Sequence, residues 1–137
     1  MPRDDLFVLD TSALLTLRSD EPGADRVETL LRQAWRKRSR LLVSFMSRME
    51  ILYCVWREEG EEEARHALRL IDSFAIEWVS CEPAILDMAS GLKARGGLSV
   101  ADSWIAATAL VRGAVLVHKD PEFQRASEIP QEFLGRG

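Results

Sequence analysis

The chain has 137 residues, a formal net charge of −4 and 47% hydrophobic residues. This length suits one domain with a real core and is too short for two comfortable ones; the apolar content excludes a disordered chain. The net charge excludes a global positive field that would recruit nucleic acid, and no apolar run approaches the ~20 residues of a bilayer span.

The opening MPRDD is not the basic-then-apolar pattern of a secretory signal. Cys54 and Cys81 lack CxxC spacing and sit in apolar surroundings, which reads as reduced core thiols of a cytoplasmic protein. In chain order, Leu6 to Leu9 predicts a fully apolar strand, and Ala13 to Leu17 a short helix. After the break SDEPGA, with Pro22 near its start, a helix is expected to about Arg38, with Val27, Leu30, Leu31 and Ala34 as its apolar stripe. Leu41 to Ser44 predicts a second buried strand. From about Ser47 a helix carries Ile51, Leu52, Val55 and Trp56 on one face, and Gly60 separates it from another over Glu61 to Phe74.

Ile76 to Ser80 predicts the third strand, and Pro83 opens a helix through Ala94 with Ile85, Met88, Ala89 and Leu92 facing inward. Val100 to Arg112 is Ala-rich and apolar, which implies burial on several sides, and Gly113 ends it. Ala114 to His118 predicts the fourth strand; KDPEF then turns into a short helix, and the tail from Ser127 is expected to be ordered only in part. There is no repeat and no linker. Short apolar strands alternating with helices mean a parallel sheet covered on both faces, with ligand sites at the carboxyl ends of its strands.

Acids follow these strands. Asp10 ends the first, Glu50 lies about a turn beyond the second, and Asp120 follows the fourth. Asp102 sits in the first turn of the buried helix leading into the fourth. Each has an ordinary explanation: Asp10 and Asp120 suit helix caps or turns, and Ser47-x-x-Glu50 and Ser99-x-x-Asp102 match capping boxes. Taken together, however, these acids lie among apolar residues. Carboxylates gathered and desolvated repel, and a divalent cation resolves the conflict. Oxygen ligands favour Mg²⁺ or Mn²⁺, and such a site suits phosphate-ester chemistry. All four acids are expected to converge in one metal-sized pocket.

The basic run Arg32 to Arg40 has two readings: Arg32, Arg36, Lys37, Arg38 and Arg40 could contact RNA phosphates, or they favour a helix C-terminus through its dipole. His66, on a charged helix, is expected at the surface.

A strand ending in Asp10-Thr11-Ser12, then SRMEIL, then LSVADSWIAATAL, then VLVHKDPEF resembles a PIN domain. Length and motif order are most similar to the VapC-type ribonuclease toxins of bacterial toxin–antitoxin pairs. The resemblance covers residues 6 to 125 of a single domain over 1–137. It implies a three-layer α/β/α sandwich around a mainly parallel sheet of four or five short strands. It also implies a Mg²⁺- or Mn²⁺-dependent endoribonuclease with Asp10, Glu50, Asp102 and Asp120 as catalytic metal ligands, and with Thr11 or Ser12 supporting the first. The implied substrate is single-stranded or looped RNA, whose backbone can be bent into a site. Implied partners are a cognate antitoxin that lays a segment across the acids, with a basic side chain such as Arg among them, and a second copy of the chain. Trp35, Tyr53 and Trp56 are candidate interface aromatics or, equally, core or isolated surface residues. One departure is His118, where family members often carry Thr; it could hydrogen-bond into the site or serve structure alone.

Three rivals stand beside this reading. An aspartyl-phosphate phosphatase of the haloacid dehalogenase type would carry a second Asp where Ser12 stands, and a catalytic Lys in a context that Lys119 does not supply. A degenerate PIN module binding RNA or protein would have lost acids that this chain keeps. A PIN nuclease of RNA processing shares the chemistry, and an antitoxin gene beside this one would favour the toxin.

Overall fold

Three of the five strands, Leu6–Leu9, Arg40–Ser44 and Val115–His118, are short runs rich in aliphatic residues that are best satisfied inside a sheet. The structure is a computed structural model describing residues 5–135; the expectations for the first four residues and for the last two of the tail lie outside the described residues. The elements are β1 (Leu6–Leu9), α1 (Thr11–Arg18), α2 (Ala24–Trp35), β2 (Arg40–Ser44), α3 (Phe45–Glu59), α4 (Glu61–Asp72), β3 (Glu77–Val79), α5 (Pro83–Arg95), α6 (Val100–Arg112), β4 (Val115–His118) and β5 (Gln131–Phe133), with a 3-10 turn over Pro121–Arg125.

All pairings are parallel, in the order β3-β2-β1-β4-β5. Phe7 and Leu9 face α1 to α4, whereas Leu6 and Val8 face α5 and α6. The alternation of side chains along a strand thus divides the interior into two apolar layers, one on each side of the sheet. This is the three-layer α/β/α sandwich that the resemblance implies. β1 runs to β2 on one side and β4 lies on the other, so the topological switch falls between β1 and β4. Open parallel sheets leave a crevice at that point, outside the carboxyl ends of their strands.

α6 is buried at Ser103, Ile105, Ala106, Ala107, Thr108 and Ala109, as its composition predicts. Its small side chains let it lie close to the sheet, and Gly113 ends it at φ 65°, a conformation that costs glycine least. Of the stripe expected on α2, Val27, Leu30 and Ala34 are buried and Leu31 is half-buried; α4 buries Ala64, Leu68 and Ile71 and ends at Asp72, short of the expected Phe74, which is half-buried.

Several expectations are corrected. α2 stops at Trp35, because Lys37 takes a left-handed φ of 60° and the chain turns there into β2. On α3 only Ile51 and Val55 of the predicted face are buried; Trp56 is 43% exposed. Met88 on α5 is likewise exposed. Cys54 is half-buried and Cys81 exposed, so the two free thiols are not core residues; Cys54 lies beside the buried stripe of α3 and Cys81 in the loop beyond β3. The tail is more ordered than expected. β5 pairs with β4, and Ile129 and Leu134 are buried. Gly23 packs against that end of the chain: at φ 106°, a Cβ there would meet the Cβ and carbonyl oxygen of Leu134 at 3.0 Å. Among the described residues, no helix is long and apolar enough to cross a membrane.

Candidate metal centre

β1 delivers Asp10 to the crevice. Its backbone N–H donates to the Val117 carbonyl at 3.0 Å, continuing the β1–β4 ladder one step beyond the strand. Asp10 caps α1: its Oδ2 accepts from the Ser12 backbone N–H at 3.0 Å and from the Ser12 hydroxyl at 2.5 Å. Ser12 Oγ in turn accepts from the Lys119 backbone N–H at 2.8 Å. The hydroxyl therefore ties the ends of β1 and β4 together. The other carboxylate oxygen, Oδ1, is buried and has no hydrogen-bond partner among the described residues. An orphaned buried acceptor of this kind is costly unless something outside the protein satisfies it.

Glu50 arrives on α3. Ser44, not Ser47, caps this helix, accepting from the Met46 N–H at 3.2 Å. The capping-box explanation of Glu50 therefore fails, because the helix starts at Phe45 and Glu50 lies well inside it. Its position is set from the side: Thr11 Oγ1 lies 2.6 Å from Glu50 Oε1 and 2.9 Å from Ser47 Oγ. A hydroxyl has one proton, so Thr11 donates to the carboxylate and accepts from Ser47.

Asp102 comes from the first turn of α6. Ser99 does cap that helix, accepting from the Asp102 backbone N–H at 3.1 Å. That bond uses the main chain of Asp102 and leaves its carboxyl group for the crevice. Asp120 caps the 3-10 turn, its Oδ1 accepting from the Glu122 N–H at 3.0 Å. Capping and cation binding are thus compatible here: Asp10 and Asp120 each spend one oxygen on a helix end and keep another.

The charges of these groups act on one another. Burial first, then the charges of Glu50 and Asp120, push the Asp10 carboxyl up to about 6, against the pull of its Ser12 hydrogen bonds. Burial, followed by the charges of Asp10, Asp120 and Glu50, pushes Asp102 up to about 7. Among the described residues no Lys or Arg pairs with Asp10, Glu50, Asp102 or Asp120; Lys119 turns away to the Pro22 carbonyl at 2.9 Å and to Glu21 at 3.5 Å. Carboxylates gathered, partly desolvated and without a protein cation form a donor set suited to a hard divalent ion.

The convergence has a finer structure than the sequence suggests. Among the described residues, the carboxylates with ligand oxygens mutually within 4.8 Å are Asp102, Asp120 and Glu122. Asp10 and Glu50 are each held at the crevice by a hydroxyl, and the charges of both act on Asp102. Sequence reasoning misses Glu122. The signal for it is its place two residues beyond a capping Asp, where a tight turn returns the side chain to the same edge.

His118 is wholly buried, with its ring against Phe123 and Phe133 at 5.0 and 5.6 Å between centroids. Nδ1 accepts from the Asp120 N–H at 3.1 Å, so Nε2 carries the proton and donates to Gln131 Oε1 at 2.8 Å. Burial holds its pKa below the usual range. Its contact with the site is thus through the Asp120 backbone. His66 is exposed, as expected. The basic run is not brought to the acids. Arg40 begins β2, whereas the crevice lies beyond Ser44 at the other end of that strand. Arg32 pairs with Glu28 and Arg40 with Glu77, while Arg36, Lys37 and Arg38 are exposed at the same far edge.

The model of the PIN domain family matches residues 7–129. No curated protein matches the chain. Among solved structures, VapBC2 from Rickettsia felis, bound to a DNA fragment from its promoter, has a TM-score of 0.76 at 18% identity, covering 93% of this chain and 98% of that one. VapBC-1 from nontypeable Haemophilus influenzae has a TM-score of 0.73 at 24% identity, covering 96% and 99%. VapC20 from Mycobacterium tuberculosis, a toxin that cleaves the sarcin–ricin loop, has a TM-score of 0.64 at 18% identity, covering 88% and 94%. The motifs, the sheet order and the family match agree, and the chain belongs to the PIN domain family.

Proposed function

We propose that the chain is a divalent-metal-dependent endoribonuclease, acting as the toxin of a toxin–antitoxin pair. The observation that carries this reading is the orphaned, buried Oδ1 of Asp10, gathered with further carboxylates that no Lys or Arg neutralises among the described residues. Asp10, Asp102 and Asp120 would hold Mg²⁺ or Mn²⁺, with Glu50 beside them. When bound, such an ion polarises a phosphodiester oxygen and acidifies a water. The chain's own residues do the rest. Ser12 and Thr11 hold Asp10 and Glu50 in place, His118 holds the amide of Asp120, and Glu50, with one oxygen fixed by Thr11, is positioned to take a proton from an attacking water.

Similarity to a toxin that cleaves an RNA loop supports RNA as the substrate. Similarity to VapBC structures supports an antitoxin partner. A groove of about 490 Å³ between α1, α2 and α4, lined by Leu14, Leu17, Leu31, Leu70 and Phe74, offers apolar surface to such a partner. A homodimer would use exposed aromatics, and Trp35, Tyr53 and Trp56 are 76%, 40% and 43% exposed.

The test is cleavage of a mixed structured RNA by the purified chain in EDTA, Mg²⁺ and Mn²⁺. Cutting is expected only with the cations, and Asp10→Asn is expected to lose it. Equal cutting in EDTA, or by the mutant, rejects the reading. Growth arrest on expression, absent with Asp10→Asn, separates a toxin from a nuclease of RNA processing.

A further inference from the structure

We propose that Gln131 of β5 is a positioning residue of the acid crevice: it fixes His118 in the tautomer whose bare Nδ1 holds the Asp120 amide. This rests on the metal reading of Asp120 and adds to it a residue of the C-terminal strand. The topology makes the contact. Leu116 of β4 lies opposite Gln131, and His118 opposite Phe133. Side chains alternate along a strand. Gln131 and Phe133 therefore share the face of Leu116 and His118, while Glu132 points to the other face and meets Arg26 of α2 at 2.7 Å. Gln131 and His118 are diagonal neighbours across the β4–β5 pair.

Hydrogen-bond chemistry at both ends of the imidazole selects the same tautomer. The Asp120 N–H can only donate, and it meets His118 Nδ1 at 3.1 Å, so Nδ1 carries no proton. At the other end, Nε2 lies 2.8 Å from the Gln131 amide oxygen. That amide cannot be turned over. Its nitrogen faces the carbonyl oxygens of Phe123 at 2.9 Å, Ala126 at 3.1 Å and Ile129 at 3.2 Å, and only an NH₂ group satisfies them. The amide oxygen is therefore presented to the ring, which must donate from Nε2. Which ring nitrogen of a His is protonated is set by the bond that the other makes; here the three carbonyls decide it through Gln131.

The surroundings make that choice matter. His118 is wholly buried, with its ring against Phe123 and Phe133, and a buried donor left without an acceptor is costly. Without the Gln131 amide, the form with its proton on Nδ1 becomes competitive, and that proton confronts the Asp120 N–H. The Asp120 peptide then loses its acceptor. Its carboxylate shifts with it, although Oδ1 still accepts from the Glu122 N–H at 3.0 Å. The carbonyls that Gln131 clamps belong to the 3-10 turn and the segment just beyond it. One side chain thus holds the approach to that turn, through His118, and its exit.

The experiment uses the RNA-free full chain and Gln131→Met, which keeps the length and loses the amide, with Gln131→Asn as a smaller change at the same group. Heteronuclear NMR of nitrogen-labelled histidine reads the tautomer. His118 is expected to carry its proton on Nε2 in the parent and to become a tautomer mixture in Gln131→Met; exposed His66 is the internal reference. Calorimetric titration with Mn²⁺ is expected to show about a tenfold loss of affinity in Gln131→Met and a loss in the same direction in Gln131→Asn. In a His118→Phe background, with no ring nitrogen to orient, Gln131→Met is expected to cost nothing further, whereas a role in clamping the turn alone still costs there. Glu132→Gln, which loosens β5 from its other face, is expected to bind Mn²⁺ as the parent does. A His118 tautomer or a Mn²⁺ affinity unchanged in the folded Gln131 variants, or an equal loss in the His118→Phe background, overturns the inference and leaves the metal reading standing. No Mn²⁺ bound by the folded parent overturns both. Circular dichroism confirms folding of each variant.

Discussion

At the amino edge of the sheet, Glu77 of β3 meets Arg40 of β2 through two hydrogen bonds of 2.9 Å. At the carboxyl edge, Asp10, Glu50, Asp102, Asp120 and Glu122 gather with no Lys or Arg paired to any of them among the described residues. The consequences run in opposite directions. The Arg40 guanidinium beside Glu77 holds its carboxyl below the usual range, whereas burial and neighbouring acids push Asp10 to about 6 and Asp102 to about 7. Acids of similar chemistry are satisfied by the protein at one edge and left in conflict at the other. A fold keeps such a conflict where something from outside is to resolve it.

The contrast can be broken in order of expected effect. Asp10→Asn keeps the shape of the cap and removes the ligand charge. Partners of metal ligands, when removed, typically cost about 10- to 100-fold, so this direct ligand is expected to cost at least about 100-fold in cleavage, measured on RNA at saturating Mg²⁺ or Mn²⁺.

The next effect is on stability, and its sign is fixed by the direction of the shifts. Both Asp10 and Asp102 have raised folded-state pKa values, so ionising them costs the folded protein. That cost is absent below about pH 4, grows as pH rises through about 6 and 7, and is then constant. For Asp10 the rise of about 2 pH units corresponds to about 3 kcal/mol; half-exposed Asp102 contributes less because water screens it. Thermal melts in EDTA are expected to show Tm falling between pH 4 and 7. Excess Mn²⁺ should restore it most at the high end, and Asp10→Asn should flatten the fall. A Tm that rises over that range in EDTA would contradict the burial of unneutralised charge.

A smaller effect is expected from Thr11→Val, which removes the hydroxyl that holds Glu50 at 2.6 Å while preserving side-chain size. Metal affinity should fall by about tenfold, with the fold retained by circular dichroism. Smallest of all is Arg40→Ala at the opposite edge. It leaves exposed Glu77 to water, and should shift Tm by no more than about 2 °C and leave metal affinity unchanged. A large loss of cleavage in that variant would mean that the two edges act together on RNA.

The strand cores, α6 from Val100 to Arg112, and the placing of Asp10 and Asp120 just beyond their strands were all legible from apolar runs and their stops. Those signals are local, because hydrophobic period and turn chemistry act over a few residues. β5 was not legible: three residues, Gln131 to Phe133, carry too little pattern, and only the open edge of β4 makes them a strand. The start of α3 was misplaced because Ser44 and Ser47 both look like caps, and only the end of β2 chooses between them.

The set of parts is legible along the chain: alternating strands and helices, a run of acids near the ends of apolar stretches, and motifs that resemble one family. Only the packed fold fixes how those acids are held. Thr11 reaches Glu50 across 39 positions, Ser12 reaches the Lys119 amide across 107, and Glu122 joins Asp102 from another element. Such contacts depend on the order β3-β2-β1-β4-β5, which places the ends of β1 and β4 side by side. No local pattern encodes that adjacency, because it arises from packing two apolar layers on the faces of one sheet.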